Sequence, residues 1–151
     1  MSSGQNPEQA KGFTIAQVAR LTGLSEYTLR YYEKVGLIDP VDRDDSSGHR
    51  RYDDDGLARI DALARLRAVG LGIEEMRVLM HSRGHSPETV DTKIALLAAH
   101  RNRLGQEISS LRARKRFVDN RIAYWQAILA GDKAMAARLT AEGEALSEHL
   151  D

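Results

Sequence analysis

The chain has 151 residues, with 22 basic and 22 acidic side chains, a formal net charge of zero and no cysteine. The missing thiol excludes disulfides, thiolate metal sites and thiol redox sensing, and no apolar run approaches the roughly 18 residues that a membrane span needs. Residues 1–86 hold 12 basic and 13 acidic side chains, so any surface there for a polyanion must be a local patch rather than an overall charge.

Residues 1–11 (MSSGQNPEQAK) are small and polar, lack the apolar core of a signal peptide, and read as a disordered tail on a cytoplasmic protein. Thr14 suits a helix N-cap, with Gln17 at the capping-box position. Ile15, Val18, Ala19 and Leu21 form an inner stripe at helical spacing. Gly23 permits a turn, and Ser25 caps a second helix from about Glu26 to Lys34 that ends near Gly36. Two short helices joined by a Thr-Gly-Leu-Ser turn make a helix-turn-helix pattern.

On the second helix Leu29 and Tyr32 face inward, leaving Tyr27, Arg30, Tyr31 and Lys34 outward. That face is either simply solvated or fitted to DNA. In the second reading Arg30 and Lys34 neutralise phosphates and the tyrosine hydroxyls donate to phosphate oxygens. Glu26 and Tyr27, near the helix N-terminus, are best placed for base edges. Thr14 joins them as a candidate contact at the start of the first helix.

Gly36-Leu37-Ile38 and His49-Arg50-Arg51-Tyr52 are expected as two short strands around the polar loop DRDDSSG, forming a wing. Arg43, His49, Arg50 and Arg51 are its candidate backbone contacts, unless these cations only balance Asp42, Asp44 and Asp45. The acids Asp53 to Asp55 open a third helix, and Gly72 precedes a fourth with Ile73, Met76, Leu79 and Met80 on its apolar side. His81 to Pro87 reads as a hinge. His81 and His85 are four apart, but Gly84 and Pro87 spoil the helix a metal pair would need, and no metal or cofactor is expected.

From Val90 the pattern becomes a heptad repeat. Val90, Ile94, Leu97, Arg101, Leu104, Ile108, Leu111, Lys115, Val118, Ile122 and Trp125 follow by fours and threes without a slip, which is a coiled-coil signature. A helix of this length spans roughly 55 Å, too long for so small a domain to cover alone. The basic exceptions Arg101 and Lys115 sit seven residues either side of Ile108. A parallel pair would stack each on its own counterpart, whereas an antiparallel pair crossing near Ile108 separates the counterparts, so the antiparallel seam is favoured. Its apolar members are the candidate dimerisation residues. Gly131-Asp132 ends the helix and starts a short tail helix with Met135, Leu139, Leu146 and Leu150 on a thin stripe that folds back on the long helix.

The fold expected is therefore mainly α. Residues 12–86 form a winged helix-turn-helix DNA-binding domain, 87–130 a long antiparallel coiled-coil dimerisation helix and 131–151 a short helical tail. In such a pair the Trp125 end of one helix approaches the hinge of the other. Phe117, Tyr124 and Trp125 would then meet His81 and His85 around a small-molecule effector pocket, the alternative being that Trp125 only terminates the seam. No nucleophile–base constellation or glycine-rich phosphate loop suggests an enzyme.

The runs TIAQVARLTGLSEYTLRYYEKVGLIDP and GHRRYDDDGLARIDALARLRAVGLGIEEM resemble the MerR family of bacterial transcription regulators. The LRYYE…GL stretch and the Gly48-x-Arg50-x-Tyr52 wing end carry the likeness, which covers about Phe13 to Met80. The resemblance implies a homodimer on a pseudo-palindromic promoter operator in double-stranded DNA. Such a dimer kinks and untwists an overlong spacer on effector binding so that RNA polymerase can engage. It also implies phosphate contacts at Arg30 and Tyr31, a groove contact at Tyr27 and wing contacts at Arg50 or Arg51. The chain departs from thiol-sensing relatives in having no cysteine, so a non-thiol effector is expected. Only about 20 residues follow the heptads, so a large C-terminal ligand domain is not expected. Competing readings are an architectural dimer that bends DNA without an effector, and a coiled-coil interaction protein with weak DNA binding.

Overall fold

The computed structural model describes residues 12–150 apart from 44, 46, 50, 82 and 83. The tail at residues 1–11 and the candidate Arg50 lie outside the described residues. Six helices occur among those described: α1 Ile15–Thr22, α2 Glu26–Lys34, α3 Asp54–Ala68, α4 Ile73–His81, α5 Pro87–Leu129 and α6 Lys133–Ser147. The chain forms two compact units, one ending at Lys93 and the other beginning at Ile94. No described helix is long and apolar enough to cross a membrane.

In the first unit the caps fix where the short helices begin. The Thr14 hydroxyl accepts from Gln17 N at 3.2 Å while Thr14 N donates to Gln17 Oε1 at 2.8 Å, a complete capping box. Gly23 takes a left-handed φ of 75° and sends its N–H to Ala19 O, which closes α1 and sets the turn. Ser25 Oγ caps α2 through Thr28 N at 3.0 Å, and Asp53 caps α3 through Gly56 N at 2.6 Å. Helix α1 packs on α2 and α3, and α3 on α4. Val18, Leu29, Leu37, Ile60, Leu63 and Met76 are the fully buried side chains at the centre. Leu21, expected on the inner stripe, is instead 60% exposed, because α1 meets its neighbours through the side carrying Val18.

The two wing strands do not form among the described residues. Leu37 N and Ile38 N both donate to Tyr32 O, at 2.8 and 3.2 Å. These N–H groups are spent on closing α2, so none is left for a ladder. Among the described residues the return segment pairs at isolated points: Phe13 and Tyr52 bridge antiparallel with bonds of 2.7 and 2.9 Å, and Arg51 N donates to Asp42 O at 2.8 Å.

In the second unit α6 packs on one face of α5. Ala113, Asn120 and Ala127, at seven-residue spacing, are buried on α5, and Ala136 and Gly143 on α6. Asn120 Nδ2 and Arg121 Nη2 both donate to Leu139 O, at 3.1 and 3.0 Å. A Cβ at Gly143 would lie 2.8 Å from Asn120 Oδ1 and from Arg121 Nη2, so any larger residue there displaces the ends of these two side chains. The tail thus folds back as its sequence suggested, but through small residues and a polar knot. Met135, Leu139, Leu146 and Leu150, the expected stripe, are only half-buried. Gly131, at φ 74°, makes the turn, and Asp132 caps α6 through Met135 N at 2.9 Å.

Candidate nucleic-acid interface

Helix α2 divides cleanly between two environments. Leu29 and Tyr32 are buried, and burial raises the Tyr32 phenol pKa above its ordinary value while the Arg67 cation offsets part of that shift. The other side carries Tyr27, at 79% exposure, with Arg30, Tyr31 and Lys34 also exposed. Glu26 pairs with Arg30 one turn on, at 3.1 Å. This exposed pair contributes little to stability, so Arg30 can exchange Glu26 for a phosphate at small cost. Thr14 differs from these residues: its hydroxyl is already engaged as the α1 cap.

Around the wing, Arg43 Nη1 donates to Gly48 O at 3.1 Å, which ties the loop across the left-handed Gly48. Arg43 and His49 are exposed. Arg51 is half-buried, and with Leu37, Asp39, Tyr52 and Arg59 it lines a hollow of about 360 Å3. It therefore stands apart in environment from the exposed cations of the wing and α2.

In the second unit the heptad residues face away from the α6 contact. Ile94, Leu97, Leu104, Ile108, Leu111, Val118, Ile122 and Trp125 are each at least 36% exposed, and Leu129, the next position in the pattern, is 90% exposed. Val90 belongs to the first unit and is half-buried. Phe117 and Tyr124 do come together, about the Arg121 guanidinium, which lies 5.9 and 4.8 Å from their ring centres. Trp125 meets Tyr124 edge-on at 5.1 Å. His81 and His85 are exposed residues of the first unit, and His81 Nδ1 lies 3.2 Å from Arg77 O. Two residues went unremarked in the sequence. Arg121 lies between the Phe117 and Tyr124 rings, four residues after one and three before the other, a spacing available in the sequence. Asp119 lies 2.7 Å from Lys115 Nζ, and that pair was available from its four-residue spacing.

A capped helix pair that leaves one helix face free, with tyrosines and cations on that face, defines a helix-turn-helix module. Residues 13–83 match the family model described as MerR HTH family regulatory protein. The transcriptional regulator AdhR of Bacillus subtilis is 43% identical over 90 residues, covering 60% of this chain, and the chain spans 64% of that relative's length. A Haemophilus influenzae protein named "Probable heavy metal-dependent transcriptional regulator" is 33% identical, over 64% of this chain and 75% of its own. Among solved structures, HiNmlR, described as a MerR family regulator lacking the sensor domain and bound to promoter DNA, aligns with a TM-score of 0.61. It is 27% identical, over 82% of this chain and 94% of its own. The chain belongs to the MerR family of transcriptional regulators.

Proposed function

We propose that this protein is a cytoplasmic, promoter-binding regulator that acts as a homodimer, paired through an antiparallel coiled coil of α5. The observation that carries the reading is the open heptad face from Ile94 to Trp125, which is apolar, exposed and clear of the α6 contact. A contiguous apolar surface of this length calls for a partner, and a second copy supplies one with matching periodicity. Two α2 helices held at fixed separation then read two half-sites of a pseudo-palindromic operator. The near-zero charge of residues 1–86 makes one copy a weak binder, and linking two copies adds their contacts.

Within each half, Arg30, Lys34 and Tyr31 contact phosphates and Tyr27 and Glu26 lie toward the bases. Thr14, Arg43, His49 and Arg51 are the further proposed contacts, with Arg50 proposed from the sequence alone. Distortion of the bound promoter, with RNA polymerase engaging the distorted DNA, belongs to the same proposal, supported by family membership and by the promoter-bound state of the HiNmlR structure. Phe117, Tyr124 and Trp125, with the partner's His81 and the partner's His85, form the proposed site for a non-thiol effector.

Footprinting and gel-shift titration of the purified protein on its own promoter region test the reading. The expected outcome is a two-fold symmetric footprint whose affinity falls steeply with salt. Arg30→Ala is expected to weaken binding to all sequences and to reduce the salt slope by about one. Equal binding by this variant at low salt would remove Arg30 from the interface, and no protection of any site would refute promoter binding. Transcription in vitro with RNA polymerase separates a regulator from an architectural dimer, which would bind and bend without changing output.

A further inference from the structure

The seam of α5 is apolar except at Arg101 and Lys115. Lys115 carries its own counter-ion, because its Nζ lies 2.7 Å from Asp119 Oδ2 one turn further on. Arg101 forms no ion pair among the described residues. Its neighbours at three and four positions are Leu97, Ala98, Leu104 and Gly105, and the only acids on α5 are Glu88, Asp91, Glu107 and Asp119. A guanidinium keeps its charge at any physiological pH. Arg101, which holds a seam position and shares a hollow with His149 rather than with an acid, has no carboxylate partner among the described residues, and one from a second copy would neutralise it.

Heptad arithmetic locates that carboxylate, given the antiparallel pairing proposed above. Pairing about Ile108 sets Ile94 against the partner's Ile122 and Arg101 against the partner's Lys115. The crossing separates each basic residue from its own counterpart, yet it still brings two cations together. Asp119 stands on the flank of the seam four residues beyond Lys115, about 6 Å along the helix axis, within the span of an arginine side chain. We infer that Asp119 is a shared counter-ion, holding Lys115 in its own chain and Arg101 of the partner subunit across the seam. Two-fold symmetry repeats the cluster on the far side of Ile108. In a parallel pair each Arg101 would face the partner's Arg101 with no acid within a turn, so Asp119 selects both the antiparallel orientation and the register.

A charge-swap mixing experiment tests this. Asp119→Arg alone and Arg101→Glu alone each place like charges across the seam twice per dimer. A mixed dimer of the two variants restores opposite charges at both places. Mixed dimers, counted by native mass spectrometry, should exceed their random share of one half, with the pairing equilibrium shifted about ten-fold or more toward them. A random share, while the parent chain remains dimeric, overturns the shared counter-ion and leaves the dimer standing. Sedimentation of the parent chain as a monomer overturns the dimer itself. Orientation is read in the cysteine-free background: Ile108→Cys should form a disulfide across the axis and Arg101→Cys should not. Self-linking of both indicates a parallel pair and refutes the register.

Discussion

The two units handle apolar surface in opposite ways. The first unit closes on itself, with Val18, Leu29 and Ile60 at 0% exposure. The second carries an equally regular apolar pattern, yet Ile108, Leu111 and Ile122 stand 49%, 61% and 52% exposed. The difference lies in how the residues are distributed rather than in how apolar they are. Four short helices, three of them started by side-chain caps, bend the chain until their stripes converge. One 43-residue helix carries its stripe on a face that α6 leaves exposed. Periodicity in the first unit therefore specifies a core, and in the second an exposed apolar face, the one the proposed dimer would cover.

The sharpest test of that contrast is a cavity in the first unit. Leu29→Ala removes a fully buried side chain of α2 and should cost about 2–5 kcal/mol, seen as a lower urea midpoint. Ile108→Ala, by comparison, should shift the concentration dependence of dimer formation and leave the first unit's midpoint in place. If both variants lowered the same midpoint equally, the division into a closed core and an open interface would fail.

The legible parts of the chain were those governed by local chemistry. Thr14 with Gln17, Ser25 and Asp132 announce helix starts through side-chain-to-backbone bonds that span three residues and cap as expected, and Asp53, expected only as part of an acidic start, caps α3 as well. The heptads were equally plain, since spacing alone decides which side of a helix they share. The wing was harder to read. Alternation around a turn suggested strands, but the claim of Tyr32 O on two N–H groups is a three-dimensional competition that no alternation records. The fold-back of α6 was legible from its thin stripe, but the residues that make the contact were not, because small residues and a polar knot carry it instead. On the proposed DNA face, outwardness could be read from the inward pair Leu29 and Tyr32, whereas the Arg51 environment depended on how the loop packs.

A second, smaller effect probes the contact through which α6 closes on α5. Gly143→Leu puts side-chain atoms into occupied space, because Asn120 Oδ1 and Arg121 Nη2 each lie 2.8 Å from the position its Cβ would take. Overpacking of this kind costs about 1–3 kcal/mol. The expected readout is loss of hydrogen-exchange protection in α6, with α1 to α4 unchanged. Retained protection would mean that α6 can be held by its half-buried leucines without the polar knot.

The smallest expected effect concerns the cap between α1 and α2. Ser25 Oγ accepts from Thr28 N at 3.0 Å and lies 2.8 Å from Thr28 Oγ1. Ser25→Ala should lower stability by about 1 kcal/mol, and Ser25→Asp should recover most of it, because a carboxylate also caps and favours the positive helix N-terminus. The pair separates two roles of the same residue. If Ser25→Asp restores the urea midpoint but weakens DNA binding, the α2 N-terminus lies near phosphates and its neutral hydroxyl suits that position. If it restores both, the cap serves the fold alone, and the first unit's interface lies further along α2, toward Arg30 and Lys34.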